Sequence, residues 1–550
     1  MTNVPELVQK STKLFEAKAP LLSLWQDIAE NFYPERADFT TTRSLGSELA
    51  QGLATGKPIL VRRDLANAIG GMLRPTNKQW MHTRVNPWDE IDTEGRAWLE
   101  MAESRQRRAM YHKGTGFARA TKEGDNDFAT FGQCVIQTTV NREGNNLLYR
   151  CWHLRDVAWT EDSSGNIDCV YRKWRLPAID MVRLFPKTVH EETRKLATKD
   201  PHAICEVLHS MMPFDLYEPM EAQKGRRLPY WSLHVDVSHD HVLEAVNMKR
   251  NEYVIPRWST LSGSQYAYSP AVVVALPDAR TLQSMTITLL EAGEKAVTPP
   301  MLGVQGALRS DINVMAAGIT WVDMEYDSRL GEVLRPLSTD SRGIPLGLEM
   351  AQDITEQLHE AFYLNKLNLP PVQDGQMTAY EVGQRVQEYI RQALPLFEPM
   401  ETEYNAPLCE TTFDILLDYG VFGSVENIPE ALQGQRIEFN FESPLHDAIE
   451  MVKAQKYLEA TALIANAAAV DPSVLHIMDA RKGARDALQS TGVPSAWLRT
   501  EGEVEDIIKA QQEQAEIQQV LEQMQAGANV AKTIGVTPSP SGTGETGQAM

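Results

Sequence analysis

The sequence predicts an α+β protein that is predominantly helical. Apolar residues recur at three- and four-residue steps over most of the 550 residues, whereas one central region alternates apolar and polar residues instead. The hydrophobic content of 43% is ordinary for a folded chain. A chain of this length should hold two to four structural units. The expected order is a helical part, a β-rich part and a second helical part.

The charge balance excludes a conventional DNA-binding module. The chain has 53 basic and 74 acidic residues, a formal net charge of -21. Recognition of phosphates by a general surface needs Lys and Arg. A surface past which DNA slides without adhering is still compatible with this balance.

The cysteines and the hydropathy pattern place the chain in a reducing compartment and away from membranes. The five cysteines include no CxxC pair, which indicates free and mostly packed thiols. No long apolar run is present, so neither a signal peptide nor a transmembrane helix is expected.

The N-terminal third reads as helices joined by loops. Apolar periodicity predicts a helix over 5–33, which Pro34 ends, and another over 59–73. A polar loop, 36–57, separates them, and a further helical region is expected over 93–131.

The β-rich unit is expected over 132–258. "CVIQTTVNREGNNLLYRCWHL" and "DVAWTEDSSGNIDCVYRKWRL" each alternate about a polar turn, at 143–146 and 163–166, and predict two hairpins. Helical periodicity returns briefly over 178–198, and strand texture resumes up to "EYVIPRWS".

Two helices of similar length follow, Leu276–Val297 and Ile344–Lys366, with a mixed segment, 301–343, between them. An apolar stripe runs along the first helix, and it fits either a helix of another subunit or a core within the chain. Its members are Leu282, Met285, Leu289, Ala292 and Ala296.

A long helix with built-in bends is predicted from "MTAYEVGQRVQEYIRQALPLFEPMETEYNAPLCE". Thr378 and Glu381 form a capping box at its start. Pro395, Pro399 and Pro407 each remove a backbone donor, so the helix should kink where they occur.

The C-terminal region begins with a strand-like "RIEFNFESP". Ala-rich helices are then expected over 444–523. The tail, 526–550, is rich in Gly, Ser, Thr and Pro and should be disordered.

Candidate catalytic and metal-binding motifs are weak. "GLATGKP" has three residues between its glycines and Pro58 after the lysine, which a phosphate loop does not tolerate. "HVDVSHDH" offers His234, Asp236, His239 and His241 as metal ligands, although a surface strand and turn explain the pattern more simply.

A second weak candidate is a Cys–His pair. Cys151 and His153 lie two apart on a predicted strand, where a nucleophile and a base can meet, but a partly buried thiol is the commoner case. Asp414 and Asp418, at helical spacing, are read as a solvated face rather than an acid–base pair. No cofactor or metal is expected.

A family resemblance supplies the function. "LWQDIAENFYPERADF", "ANAIGGMLRPTNKQWMHTRV", "SPAVVVALPDARTLQSMTITLLEAGEKAVTPPML" and the proline-bearing helix resemble the head-to-tail connecting, or portal, proteins of short-tailed bacteriophages. "DSSGNIDCVYRKWRL" fits the same family, and the resemblance covers most of 15–510.

This resemblance implies the portal fold and a ring, usually of twelve subunits, at one capsid vertex. The implied parts are a wing (1–270), a first stem helix (271–300), a clip (301–343), a second stem helix (344–369), a tunnel loop (370–376), a kinked helix with its return to the wing (377–440) and a crown (441–525). The stripe on the first stem helix would then contact neighbouring subunits.

Residues of the tunnel loop, with one nearby lysine, would line the DNA channel on this resemblance. They are Pro370, Pro371, Val372, Gln373, Asp374, Gly375, Gln376 and Lys366. Twelve subunits at -21 each would carry -252 formal charges, a wall along which DNA slides.

The resemblance also implies partners and place. Double-stranded DNA is pumped in by the large terminase subunit and later leaves by the same route. The major capsid, scaffolding and tail adaptor proteins are the other expected partners, in the virion and, during assembly, in the host cytoplasm. No catalysis is expected. A tail or adaptor ring component, or less readily a metal-dependent enzyme using His234 and His241, is the alternative.

Overall fold

A computed structural model gives the structure of the chain. It describes residues 3–44, 46–50, 52–76, 79–85, 93–217, 228–299, 301–303, 334–336, 343–367, 399–424, 428–435, 437–441, 444–468, 477–490 and scattered positions from 471 to 517. Internal contacts divide the chain into two units, Met1–Ile449 and Glu450–Met550.

The helices of the described residues account for most of the structure. They are α1 (Val4–Ala17), α2 (Ala19–Phe32), α3 (Lys57–Leu73), α4 (Thr93–Met110), α5 (Phe117–Phe131), α6 (Ala178–Leu184), α7 (Glu191–Lys199), α8 (Leu276–Val297), α9 (Gly343–Ala361), α10 (Leu364–Leu367), α11 (Ala406–Asp418), α12 (Pro444–Ala468) and α13 (Ala480–Ser490). Two π-helical turns, Ala271–Ala275 and Glu401–Asn405, precede α8 and α11.

The strands fall mostly in the middle of the chain. They are β1 (Met81–Arg84), β2 (Val135–Val140), β3 (Leu147–Trp152), β4 (Val157–Glu161), β5 (Ile167–Pro177), β6 (Ile204–Pro213), β7 (Tyr230–Asp236), β8 (His241–Met248), β9 (Tyr253–Val254), β10 (Met301–Gly303), β11 (Leu334–Pro336) and β12 (Glu438–Phe441). The fold is thus mixed helix and strand, as expected.

The prediction of a single helix over 5–33 is wrong, because the chain forms two helices there, α1 and α2, with a break between them. Lys18 lies at that break with its side chain buried, and its Nζ donates to two backbone carbonyl oxygens at and before β4. Pro20 has no N–H with which to continue α1. Periodicity alone predicts one continuous helix here, but the buried lysine and the proline divide it into two.

The helical region expected next is also divided. α4 and α5 are separated by a turn in which Gly116 adopts a positive φ of 72°. A residue with a Cβ is disfavoured in that conformation. The helix predicted over 59–73 is confirmed as α3, and the region predicted over 178–198 forms two short helices, α6 and α7.

Both predicted hairpins are present. β2 pairs with β3, and β4 pairs with β5, each antiparallel about its predicted turn. The first hairpin belongs to a three-stranded sheet of order β3-β2-β9, and the second begins a five-stranded meander of order β4-β5-β6-β7-β8. α6 and α7 sit in the connection between β5 and β6.

One strand pair joins distant parts of the chain. β1 pairs antiparallel with β12, with Met81 opposite Phe441. Trp80, next to β1, is fully buried and stacks on the Phe441 ring at 6.1 Å. The strand-like "RIEFNFESP" predicted β12, whereas β1 was not predicted, because a four-residue strand carries little periodic signal.

The first of the two helices of similar length that the sequence predicts, Leu276–Val297, is confirmed as α8. The second was expected to run over Ile344–Lys366, but α9 ends at Ala361. Tyr363 has a positive φ of 58°, and Phe362 is buried against Phe32 with ring centroids 5.5 Å apart. The helix therefore stops where its side chains enter the main core.

The thiol prediction is confirmed for the cysteines, all of which the structure describes. All five are free; Cys151 is partly buried and the other four are buried. Among the described residues, no helix combines the length and the apolar character needed to cross a bilayer.

Several predicted segments lie outside the described residues. These are most of the clip (304–333), the tunnel loop (370–376), the first part of the proline-bearing helix (377–398) and the C-terminal tail (526–550). Within the second unit, the Tyr457 hydroxyl donates to the carbonyl oxygen of Ala480 at 3.1 Å, which ties α12 to α13.

Candidate functional site

The candidate site is a hairpin of two helices, α8 and α9, that extends from the main core. Gly347 on α9 lies against Leu289 on α8, and a Cβ added at Gly347 would come within 2.7 Å of Leu289 Cδ2. The glycine therefore permits the close approach of the two helices. Beyond them, β10 and β11 pair antiparallel as a short ribbon.

The root of this hairpin is fixed by buried contacts. Ala279 and Leu282 are buried in the main hydrophobic cluster. The Gln283 side chain accepts from the backbone N–H groups of Ala54 and Thr55 at 2.8 and 2.9 Å and donates to the Thr55 carbonyl oxygen at 2.8 Å. One glutamine thus pins the loop before α3 to the hairpin.

The predicted stripe on α8 faces mostly inward along this hairpin. Leu282 is buried in the core, and Met285, Leu289 and Ala292 are half-buried, whereas Ala296 is exposed. Leu282 and Leu289 therefore have apolar neighbours within the same chain. Their predicted contact with neighbouring subunits remains a prediction.

Other apolar side chains of the hairpin are exposed. They are Ile287, Leu290 and Val297 on α8 and Leu346, Leu348 and Met350 on α9. Single exposed apolar residues are common, but six on one protruding pair of helices form a surface suited to a protein partner. Sequence periodicity alone did not separate these residues from the core-facing stripe.

α9 presents three kinds of face. At about 100° per residue, Gly347, Ile354 and Leu358 share the face toward α8 and the core. The opposite face carries an acidic stripe, and within the described part of the chain its members form no ion pair. The stripe consists of Glu349, Asp353, Glu356 and Glu360, all exposed. Leu346 and Met350 flank it on one side, and Leu348 lies on the other.

Each π-helical turn stands directly before a proline. The N–H of Leu276 donates to Ala271, and that of Ala406 donates to Glu401, both five residues back. Pro277 and Pro407 follow by one residue. A proline in an α-helix removes a donor and crowds the carbonyl four residues earlier, and a wider turn relieves that crowding.

The second π-helical turn is anchored by a buried polar network. Arg74 forms an ion pair with Asp125, and its Nη1 donates to Asn405 Oδ1 at 2.9 Å. The Asn405 amide donates in turn to the Leu73 carbonyl oxygen at 3.1 Å, and the guanidinium lies 4.5 Å from the Tyr404 ring centroid. Burial disfavours the charge on Arg74, but Asp125 raises its pKa above the ordinary value.

The other predicted channel and kink residues are only partly described. Pro399 lies in a helical turn and Pro407 begins α11, whereas Pro395 lies outside the described residues. Lys366 belongs to the short helix α10. The predicted loop from Pro370 to Gln376 lies outside the described residues, so its assignment is still a prediction.

The Cys–His pair does not form a catalytic site. The Cys151 thiol lies 3.8 Å from Asp127 Oδ2, and burial raises its pKa well above the ordinary value, so the nucleophilic thiolate is disfavoured. His153 instead contacts Asp38 through Nε2 at 2.5 Å. Asp414 and Asp418 pair with Arg250 and Lys249, which places them in structural ion pairs.

The four residues of "HVDVSHDH" do not converge on one point. His234 lies inside the five-stranded sheet unit and stacks on His209 at 4.2 Å, and burial lowers its pKa to about 4. The Nε2 atom of His241 bonds to the Thr188 carbonyl oxygen at 2.7 Å. Only His239 and Asp236 remain close, at 2.9 Å.

A mixed helix and strand chain whose helical hairpin exposes six apolar side chains has a surface suited to assembly with other proteins. The chain is a member of the family of bacteriophage head to tail connecting proteins, whose sequence profile matches residues 5–498. The sequence-based prediction of a portal, or head-to-tail connecting, function is thereby confirmed, and the chain is a component of a phage virion.

Individual relatives agree with this family. A "Probable portal protein" of Bordetella phage BPP-1 is 23% identical over 523 residues, 94% of this chain and 92% of that protein. A "Portal protein" of Salmonella phage epsilon15 is 19% identical over 563 residues, covering 98% and 96%. A chain from the virion of a native gene transfer agent particle aligns with a TM-score of 0.34 at 10% identity, over 74% and 86% of the two chains, which is too low to carry an argument about fold.

Proposed function

We propose that copies of this chain close into a ring, of twelve subunits as in the family it resembles, and that the ring is the channel for double-stranded DNA at one capsid vertex. In this proposal residues 1–270 form the wing, 301–343 the clip, 370–376 the tunnel loop and 441–525 the crown. The hairpin of α8 and α9 is the stem, because both helices are long, a short two-stranded ribbon lies beyond them, and both carry exposed apolar side chains.

The faces of α9 support a closed ring. A ring built by rotation needs two different surfaces on each subunit, one for each neighbour. Leu346 and Met350 on one flank, and Leu348 on the other, provide apolar contacts in two directions. The acidic stripe then points away from α8, where it fits the lumen.

An acidic lumen suits passage rather than binding. α9 has four exposed carboxylates and no Lys or Arg. Phosphates are repelled by such a stripe, and the repulsion extends about 8–10 Å at physiological salt. DNA close to the wall would therefore move without adhering, which a packaging and ejection channel requires.

The remaining assignments rest on this channel. The terminase motor, as a separate ATPase, would drive DNA inward, so the chain itself would carry no catalytic activity. Capsid and scaffolding proteins would contact the wing, and tail adaptor proteins would contact the clip once packaging ends. Assembly would begin in the host cytoplasm. Pro395, Pro399 and Pro407 would set the path of the helix that returns from the channel to the wing.

The proposal depends on the exposed apolar flanks of the hairpin, and their role in subunit contact can be tested directly. Leu346→Glu with Leu348→Glu should leave a folded chain that no longer closes, because each contact would bury an unpaired carboxylate. Native mass measurement and end-on electron microscopy of wild type should show closed rings, and the double variant should give monomers or open fragments.

Leu261→Glu is the matched control, since Leu261 is as exposed as Leu348 but lies in the loop before α8. It should still form rings. A wild-type chain that stays monomeric at high concentration would contradict the ring. Rings of undiminished yield from the double variant would remove the hairpin from the interface.

A further inference from the structure

A cluster of two histidines and a carboxylate lies on the wing, away from the hairpin. His190 and Glu192 stand at the start of α7, and His239 lies in the turn between β7 and β8. One ligand atom of each comes within 4.8 Å of the others. The group thus joins two elements that are 47 residues apart in the sequence.

One ring nitrogen of His239 is held by a buried hydrogen-bond acceptor. Its Nδ1 donates to Asp236 Oδ2 at 2.9 Å, and Asp236 is only 1% exposed. The same carboxylate accepts from the Thr193 hydroxyl at 3.1 Å and from the Ser238 N–H at 3.0 Å. Three donors keep Asp236 an acceptor, so the His239 proton belongs on Nδ1.

The Nε2 atom of His239 faces outward, toward a carboxylate. It lies 3.2 Å from Glu192 Oε2. With a proton on Nδ1, the Nε2 atom either carries a second proton and donates to Glu192 or shares a cation with that carboxylate. Two ligand atoms that bind one zinc ion tetrahedrally at about 2.0–2.1 Å stand roughly 3.3 Å apart. The observed separation matches that spacing.

We propose that His190, Glu192 and His239 bind one divalent zinc ion, with water as the fourth ligand and Asp236 orienting His239 from behind. A buried carboxylate that holds the far nitrogen of a histidine ligand is a common feature of zinc sites. The ion would fix the start of α7 to the β7–β8 turn. This site is independent of ring closure.

His190 must move slightly to complete the site. Its ring now stacks on His239 at 4.3 Å, and its Nδ1 accepts a long hydrogen bond, 3.3 Å, from the Glu192 N–H. A side-chain rotation would turn a ring nitrogen toward the ion and release that weak cap. A second proton on His239 would compete with zinc, because a protonated imidazole would donate to both Asp236 and Glu192 and so bridge the two carboxylates.

The test is a zinc titration of the full chain, without a histidine tag, at pH 7.5 with a competing fluorescent chelator. Wild type should bind one zinc per subunit. His239→Gln and Glu192→Gln should each weaken that binding by about tenfold or more, and Asp236→Asn by about 10–100-fold. Cobalt in place of zinc should give the intense visible absorption of a tetrahedral site.

Glu191→Gln and His202→Gln are the controls, because both residues are exposed in the same unit and outside the cluster. They should bind zinc like wild type. Thermal unfolding without zinc shows that the Glu192 and His239 variants are folded. The proposal is overturned if wild type binds no stoichiometric zinc, or if the cluster variants bind it as wild type does.

Discussion

The main hydrophobic core and the hairpin of α8 and α9 differ in how their side chains are buried and paired. In the core, even charged groups such as Arg74 and Asp125 are buried and paired within the chain. On the hairpin, Leu290 and Leu346 are exposed, and the acidic stripe of α9 has no ion-pair partner among the described residues. The described charged groups of the core thus find their partners within one chain, whereas the hairpin surface is suited to neighbours.

This contrast separates two kinds of sensitivity. Changes in the main core should lower the free energy of unfolding of a single chain, because they leave cavities or unpaired charges. Changes on the exposed hairpin should leave that free energy nearly unchanged and act on assembly. The following predictions are ordered by their expected effect on the single chain.

The largest effect is expected at the buried ion pair. Asp125→Ala should destabilise the chain by about 3–5 kcal/mol, because Arg74 keeps a buried charge without its partner. Thermal unfolding followed by tryptophan fluorescence measures the loss. Asp64→Ala, at an exposed ion pair with Arg63, should shift the midpoint very little.

A double replacement, Arg74→Met with Asp125→Leu, sharpens this test. It removes both charges and should restore most of the lost stability. If Asp125→Ala unfolds no earlier than Asp64→Ala, the main core does not depend on this pair and the contrast with the hairpin weakens.

Acid should loosen the five-stranded sheet next. The pKa of His234 falls from 6.5 to about 4 on folding, so between these values the unfolded chain binds a proton that the folded chain excludes. Stability is thus complete above about pH 6.5 and declines toward pH 4, by about 3 kcal/mol. His234→Phe, which keeps a ring but cannot titrate, should make this part of the pH profile of amide exchange in β6 and β7 less steep. Some pH dependence should remain, because burial also lowers the pKa of His209, which stacks on His234.

A pair of glycines gives the last comparison, which includes the smallest effect. Gly132 has a φ of 79°, and an added Cβ would lie 2.7 Å from the backbone of Ser269, so Gly132→Ala should cost about 1–3 kcal/mol or more. Gly293, on α8, has nothing within 4 Å of an added Cβ. Gly293→Ala should stabilise that helix by about 0.5–1 kcal/mol, which circular dichroism on heating would detect. Equal losses for both would contradict the contrast.

Much of the fold follows from local pattern. α8 begins and ends at the residues that periodicity predicted, and both hairpins turn where Gly and Asn cluster. Local pattern failed where a distant contact decided the outcome. Lys18 breaks the first helix by reaching the carbonyl oxygens near β4, and Phe362 stops α9 by entering the core beside Phe32.

The candidate sites show the same limit. Sequence placed His234, His239 and His241 together, but strand geometry sends His234 inward and leaves His239 beside His190 and Glu192, which are far along the chain. Likewise, the stripe on α8 was visible as apolar periodicity. Which side of the helix faces α9 became clear only from the contact between Leu289 and Gly347.

Pro277 and Pro407 hold the π-helical turns that precede them in place, and so fix the orientation in which the following helices begin. Such a turn contains one extra residue, and any residues that it passed in moving along the helix would rotate by about 100°. Proline blocks that movement, because the turn cannot pass a position without an N–H group. The first turn of α8 therefore leaves the main hydrophobic core in one fixed orientation, and identical chains arranged with rotational symmetry need such a constant orientation.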